Sequence, residues 1–205
     1  ALTLAGMAGV RVAAHELIEV AGQAILLSRR FDREGEGRIP FLSALSMMGL
    51  KDGERGSYPE LVDALVQTGA QAQRDAAELY RRMVLNVLIS NVDDHLRNHG
   101  FLWLGQGGWT LSPAYDLNPT PVDVKARILT TTIDLDDGTC DLTLVLSVAG
   151  LFSLSDADAR DIVREVAQVT RGWRDAAVAA GARPSEIRRM ESAFEHDGLA
   201  RAWAL

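Results

Sequence analysis

The sequence predicts a mostly helical fold with a small β component, and three observations carry that expectation. Two stretches, from Pro59 to Ser90 and from Asp156 to the C-terminus, repeat apolar residues at helical spacing. Two short runs, at 15–30 and 101–111, are apolar or mixed and interrupted by glycine-containing turns, the pattern of hairpins. Between the halves, Asn118-Pro119-Thr120-Pro121 is an extended segment that cannot be helix, because proline lacks an N–H and restricts the residue before it.

Taken in order, residues 1–9 are helix-like. Residues 15–20 and 24–30 read as two strands joined across Ala21-Gly22-Gln23. Glu34-Gly35-Glu36-Gly37 is a turn, and Lys51 to Ser57 is a polar loop with Gly53 and Gly56. From Pro59 the pattern turns helical through Leu61, Leu65 and Val66. A longer helix follows from Gln71 to Ser90, with Leu79, Met83, Val87 and Leu88 on one face. Phe101-Leu102-Trp103-Leu104, the glycine-rich 105–108, and Trp109-Thr110-Leu111 make a tight strand-turn-strand in which the two tryptophans flank the turn and pack. Leu142 to Leu151 leans toward helix. The run after Ser155 opens like a capping box and predicts one helix to about Ala180, with Ser185 capping another to the end.

Composition narrows the function classes. With 205 residues and 47% hydrophobic content, the chain can build one large domain or two modest lobes around a core. A net charge of −7 opposes a phosphate backbone, so direct nucleic-acid binding is not expected. No apolar stretch approaches the roughly 20 residues that span a bilayer, and no charged segment followed by an apolar run opens the chain. The single cysteine, Cys140, cannot form an internal disulfide, which fits a reducing cytoplasm. The chain starts without Met in a helix-like segment and reads as a piece of a longer protein. His15 and His196 read as surface or satisfied core residues rather than ligands.

The most informative stretch is Asn91-Val92-Asp93-Asp94-His95-Leu96-Arg97-Asn98, followed after the hairpin by Pro113-Ala114-Tyr115-Asp116. Asp93 precedes Asn98 by five residues, and Asp116 follows Asn98 by 18. A protein-kinase catalytic loop has that form: a base Asp, a metal-binding Asn five residues on, and a second metal-binding Asp beyond two short strands. The residue types suit the chemistry, since a carboxylate can take the proton of a substrate hydroxyl while carboxylate and amide oxygens suit Mg²⁺. A plain polar loop capping the preceding helix is the competing reading. It weakens once Asp116 is added, because catalytic groups sit on loops held by rigid scaffolds. A zinc or transition-metal site made from Asp93, Asp94, His95 and His99 is a further alternative, but no HExxH and no cysteine set accompany it. A Ser-His-Asp hydrolase lacks its G-x-S-x-G elbow.

These residues, with Leu111-Ser112-Pro113-Ala114-Tyr115-Asp116-Leu117 and Ser28-Arg29-Arg30-Phe31-Asp32-Arg33, resemble the C-terminal region of the HipA-family serine/threonine kinases. The resemblance covers roughly residues 1–180. It implies a kinase-like helical C-lobe bearing an active-site hairpin, with 1–33 as a remnant of the upper lobe and hinge and 34–205 as the lower lobe. By the same resemblance Asp93 is the catalytic base, Asn98 and Asp116 hold Mg²⁺, His95 lies near the nucleotide, and Arg29 and Phe31 form the hinge against adenine. Arg97 stands where the family more usually has Lys near the phosphates. ATP and Mg²⁺ are the implied cofactors. A small DNA-binding, HipB-like antitoxin is the implied partner, and a component of translation the implied protein substrate.

One departure bears on activity. A kinase grips phosphate with a covering loop and a strand lysine. The lysines of this chain are Lys51 and Lys125, neither in a strand ahead of the first long helix, and no glycine-rich nucleotide motif occurs. The expectation is a kinase fragment of low activity on its own. The alternative is a non-catalytic, pseudokinase-like module that docks an antitoxin.

Overall fold

The computed structural model describes residues Ala1–Leu205. The first helix, α1 (Leu2–Met7), leads into an antiparallel hairpin of β1 (His15–Val20) and β2 (Gln23–Ser28). Ala21 and Gly22 close that hairpin with φ of 52° and 78°, the doubly left-handed turn whose twist matches paired strands. A minimal second hairpin pairs β3 (Arg33–Glu34) with β4 (Gly37–Arg38) around the Gly35 turn.

Two of the longer helices start where the sequence supplies capping boxes. Helix α3 (Tyr58–Thr68) opens on a capping box in which Ser57 Oγ accepts from the Glu60 N–H and Glu60 Oε2 accepts from the Ser57 N–H, with Pro59 in the first turn. Helix α4 (Ala72–Leu88) follows. Helix α6 (Asp156–Arg171) repeats the box with Ser155 and Asp158.

Three expectations are corrected. The predicted helix from Asp156 to about Ala180 is two helices, α6 and α7 (Trp173–Ala179), which part at Gly172. Glycine is a weak helix former, and the chain there turns so that Trp173 stacks on Phe194 at 4.5 Å between ring centroids. The final helix is also two, α8 (Pro184–Phe194) and α9 (Asp197–Trp203). Its start lies before Ser185, with Pro184 in the first turn and Glu186 Oε2 accepting from the Arg183 N–H at 2.7 Å. The 101–111 hairpin, β6 (Gly100–Trp103) and β7 (Trp109–Leu111), is extended by a third strand, β5 (Phe41–Ser43), which runs into the short α2 (Ala44–Met47).

A single core of 42 buried residues runs from Leu4 of α1 to Ala202 of α9 and includes α5 (Leu142–Ser147). Helix α4 is its axis, packed between α3 and α6. Leu79, Met83, Leu85 and Leu88 are fully buried there, each stabilising by about 1.5–3 kcal/mol. The β1–β2 hairpin lies outside that core and leaves Leu17, Val20, Leu26 and Leu27 exposed. No helix is long and apolar enough to cross a membrane.

Candidate active site

The site is set by a polar stripe on a helix that is otherwise apolar. Asp75, Glu78, Arg82 and Asn86 recur at three- and four-residue intervals along α4 and so share one face. Buried charge is tolerated only when hydrogen-bonded, and each of these groups is spent on the strand and loop that carry the site. Asp75 Oδ2 accepts from the Leu111 N–H at 2.8 Å and from Thr110 Oγ1 at 2.6 Å. Arg82 Nη2 donates to the Ser112 carbonyl at 2.7 Å and pairs with Glu78 at 2.8 Å. The route from β7 to Asp116 is thereby pinned to the core, and Ala114 is tied to the N-terminal segment through Arg11 and Ala13.

At the end of α4 the chain turns through Ser90, with φ of 53°, into the loop 91–98. Asn91, 1% exposed, carries the α4 stripe onward: its Nδ2 donates to Asn86 Oδ1 at 3.0 Å, and its Oδ1 accepts from the Asn118 N–H at 3.0 Å. Asn86 Nδ2 donates in turn to Tyr58 Oη, and Tyr58 donates to Asp94 Oδ2. Burial and the adjacent Asp94 charge push the Tyr58 hydroxyl well above its ordinary pKa, so it stays a donor. His99 Nε2 lies 2.9 Å from Asp94 Oδ1, in a bent approach, and its ring meets Tyr58 edge-on.

The two adjacent carboxylates therefore have opposite environments. Asp94 is 2% exposed and spent on Tyr58 and His99, whereas the Asp93 side chain is 63% exposed. Of the two, only Asp93 is open to solvent. Asn98, five residues on, donates its Nδ2 to the Asp93 carbonyl at 3.1 Å, which leaves its Oδ1 without a protein partner. Thr131 and Thr130 buttress the loop from outside by donating to the Asp94 and Val92 carbonyls.

Asp116 is exposed and sits at φ +55°, a region costly for a residue with a side chain and concentrated at functional sites. Its Oδ1 accepts from Asn118 Nδ2 at 2.7 Å, and its Oδ2 has no protein partner. Tyr115 beside it donates to the Arg97 carbonyl at 2.6 Å, joining the Asp116 segment to the Asp93 loop a second time. Burial, with the Asp116 charge behind it, pushes the Tyr115 hydroxyl up to about 12.

Among the remaining sequence-predicted residues, Phe31 packs at a tilt against Tyr115, 5.6 Å between ring centroids, and against Phe41 at 6.0 Å, which brings it beside the Asp116 segment. Arg29 stays at the foot of the β1–β2 hairpin, its N–H on the Ala14 carbonyl and its side chain exposed. Arg97 turns outward to Asp52 of the polar loop. His95 buries Nδ1 without a partner beside a recess of about 180 Å³ shared with Arg55, Arg97 and Thr130. The sequence shows Asn91 and Tyr115 inside the motif and Asn118 in the extended segment after it, but gives none of the three a role. Lys125 stands out in the sequence only as one of two lysines, neither in a strand ahead of the first long helix. The structure puts its Nζ 3.6 Å from Asp93 Oδ1.

The donor set fits Mg²⁺. No group of three or more His, Cys, Asp or Glu side chains stands together as a metal cluster. Asn98 and Asp116 instead contribute one amide and one carboxylate oxygen, few and hard. That is the complement Mg²⁺ takes when water and phosphate fill the rest of its shell.

A family model described as the HipA-like C-terminal domain matches residues 1–173. Y4dM of Sinorhizobium fredii, whose assignment as a kinase is itself provisional, is 34% identical over 106 residues, 50% of this chain and 25% of that protein. Two solved structures share the fold. HipA, in the complex of HipA, HipB and operator DNA from Shewanella oneidensis MR-1, superposes with a TM-score of 0.73 at 17% identity, over 99% of this chain and 53% of that one. The proinflammatory kinase CtkA of Helicobacter pylori superposes with a TM-score of 0.67 at 14% identity, over 99% and 77%. The chain thus spans about half the HipA it matches.

Proposed function

Because the chain belongs to the HipA-like C-terminal domain family, we propose that it carries the catalytic half of an ATP- and Mg²⁺-dependent serine/threonine protein kinase. The observation that carries this is the division of labour in the loop: a buried Asp94 that accepts from Tyr58 and lies against His99, next to an exposed Asp93, with Asn98 bonded to the Asp93 backbone and Asp116 held alongside by Tyr115 and Asn118.

Asp93 accepts the proton of a serine or threonine hydroxyl as its oxygen attacks phosphorus. Asn98 and Asp116 present oxygens that hold Mg²⁺, which with ATP supplies the phosphoryl group and its charge neutralisation. Phe31, with Tyr115 and Phe41, offers an aromatic wall for adenine; the family resemblance gives His95, Arg29 and Arg97 places near the nucleotide, while Arg29 stays at the foot of the β1–β2 hairpin and Arg97 turns to Asp52. Residues 1–33 serve as hinge and upper-lobe remnant, and 34–205 as lower lobe. The exposed Asp93 needs a cover before the site can exclude water. By analogy with the HipA–HipB complex, a HipB-like protein is the partner; the family resemblance suggests a component of translation as the substrate, and the single cysteine suits the cytoplasm.

A second reading, a non-catalytic docking module, is favoured by one observation: the β1–β2 hairpin, which lies outside the core, contains no lysine. Calorimetry with Mg²⁺–ATP and radiolabel transfer, on this chain and on the same chain extended at its N-terminus, separate the two. The kinase reading expects Mg²⁺-dependent nucleotide binding and transfer that Asp93→Asn abolishes with the fold and binding kept. Transfer retained in Asp93→Asn removes Asp93 from its role, and no nucleotide binding by either chain favours the module.

A further inference from the structure

The turn after the Asp116 segment brings a cation to Asp93. Lys125 Nζ is 3.6 Å from Asp93 Oδ1 and donates to the Val92 carbonyl at 3.4 Å. No other lysine, arginine or histidine nitrogen lies within 4.0 Å of that carboxylate. The other basic side chains nearby are committed: Arg97 to Asp52, and Arg127 to Ser90 and the Val87 carbonyl. The backbone that delivers Lys125 is anchored. Lys125 N–H closes a turn on the Pro121 carbonyl, Val122 N–H donates to Ser192 Oγ, and Asp123 pairs with Arg189 of α8 at 2.9 Å. The side chain itself is half exposed and free to swing on its four-carbon stem.

We propose that Lys125 is the cation that neutralises the phosphoryl group in flight, a role that rests on the kinase reading of the same site. The geometry is short-range. A hydroxyl donating to Asp93 lies about 2.6–3.2 Å from its carboxylate. The phosphorus it attacks lies about 3–3.5 Å from that hydroxyl oxygen. An ammonium already 3.6 Å from the carboxylate is thus within one side-chain movement of the equatorial phosphoryl oxygens. As the hydroxyl oxygen bonds to the γ-phosphorus, the bond to the β–γ bridging oxygen breaks and its electron pair leaves with ADP. The hydroxyl proton passes to Asp93. Lys125 keeps its protons throughout and offsets charge on the three equatorial oxygens, where preorganised donors act most strongly.

The test compares the parent with Lys125→Met and Lys125→Arg, all in the N-terminally extended chain, with thermal melting as a check on folding. The probe is Mg²⁺–ADP with and without aluminium fluoride, whose planar complex mimics the transferring group and binds in proportion to transition-state complementarity. The expected result is that Lys125→Met leaves Mg²⁺–ADP affinity within twofold but weakens the fluoride complex more than tenfold. The single-turnover transfer rate falls in parallel, and Lys125→Arg recovers most of both. Equal fluoride trapping in parent and Lys125→Met overturns the assignment, as does an equal loss of Mg²⁺–ADP alone, which marks a structural tether. A parent that binds Mg²⁺–ADP and transfers in an Asp93-dependent way while Lys125→Met is unchanged sinks the Lys125 role alone. A parent that binds no Mg²⁺–nucleotide sinks the kinase reading and this role together.

Discussion

The backbone N–H of Asn118 donates to Asn91 Oδ1 at 3.0 Å, and this bond joins the segment bearing Asp116 to the loop bearing Asp93. Asn91 also donates to Asn86 of α4, so one buried amide fixes both halves of the site to the core helix.

Asn91→Ala leaves the buried Asn86 Oδ1 without its partner and frees the Asn118 N–H, which water can reach. An unpaired buried group costs about 1–3 kcal/mol, so urea unfolding is expected to show a loss of about that size. Mg²⁺-dependent nucleotide binding weakens as well, because Asp116 loses its fixed distance from the loop. An unchanged midpoint shows that the network is dispensable.

Asp116 combines strain with function, and glycine separates them. Asp116→Gly suits φ +55° without a Cβ. Its unfolding free energy is expected to stay within about 1 kcal/mol of the parent, while the Mg²⁺-dependent part of nucleotide binding disappears. Retention of that part, measured by calorimetry with and without Mg²⁺, excludes Asp116 as a metal ligand.

His196 makes stability fall in mild acid. Its Nδ1 accepts from the Leu199 N–H at the start of α9, and Nε2 lies 3.1 Å from the Leu88 carbonyl. Burial, reinforced by Arg127, pulls it from 6.5 down to about 4. Between those values the unfolded chain binds a proton that the native protein refuses, so stability is full above pH 6.5 and declines as pH falls toward 4. The loss is about 2 kcal/mol by pH 5. His196→Asn keeps a helix-capping acceptor and is expected to flatten the pH dependence of unfolding between pH 7 and pH 5. A slope as steep as the parent's assigns the effect elsewhere.

Gly100 marks where β6 passes under the aromatic wall. A Cβ there collides with the Phe41 ring and meets Ser112 Oγ at 2.7 Å. Gly100→Ala is expected to destabilise the fold by about 1–3 kcal/mol through overpacking and to shift Phe41 against Phe31 and Tyr115. The readouts are the denaturation midpoint and nucleotide affinity, and a parent-like midpoint shows that the ring yields freely.

Local chemistry was legible where it is self-contained. The capping box at Ser155, the two hairpins and the Asp93–Asn98–Asp116 spacing all follow from contacts a few residues long or from a fixed loop length. Strand β5 was not, since three residues acquire strand form only by pairing with β6, some sixty positions away. The break at Gly172 and the split at His196 escaped for a related reason. Apolar spacing continues through both, and the turns are imposed by Trp173 packing on Phe194 and by His196 reaching the end of α4.

By itself the sequence determined which residues are the candidates for the chemistry, because residue type and spacing in the 91–98 loop, with Asp116 beyond the hairpin, match a proposed base and two proposed oxygen ligands. Tertiary structure alone decided which of two adjacent carboxylates is available. Asp94 is drawn inward by Tyr58 and His99, from segments on either side of it, while Asp93 is left in solvent. It also decided that Lys125, thirty-two residues after Asp93, stands at that carboxylate. The proximity comes from anchoring its turn to α8, and no local pattern encodes that distance.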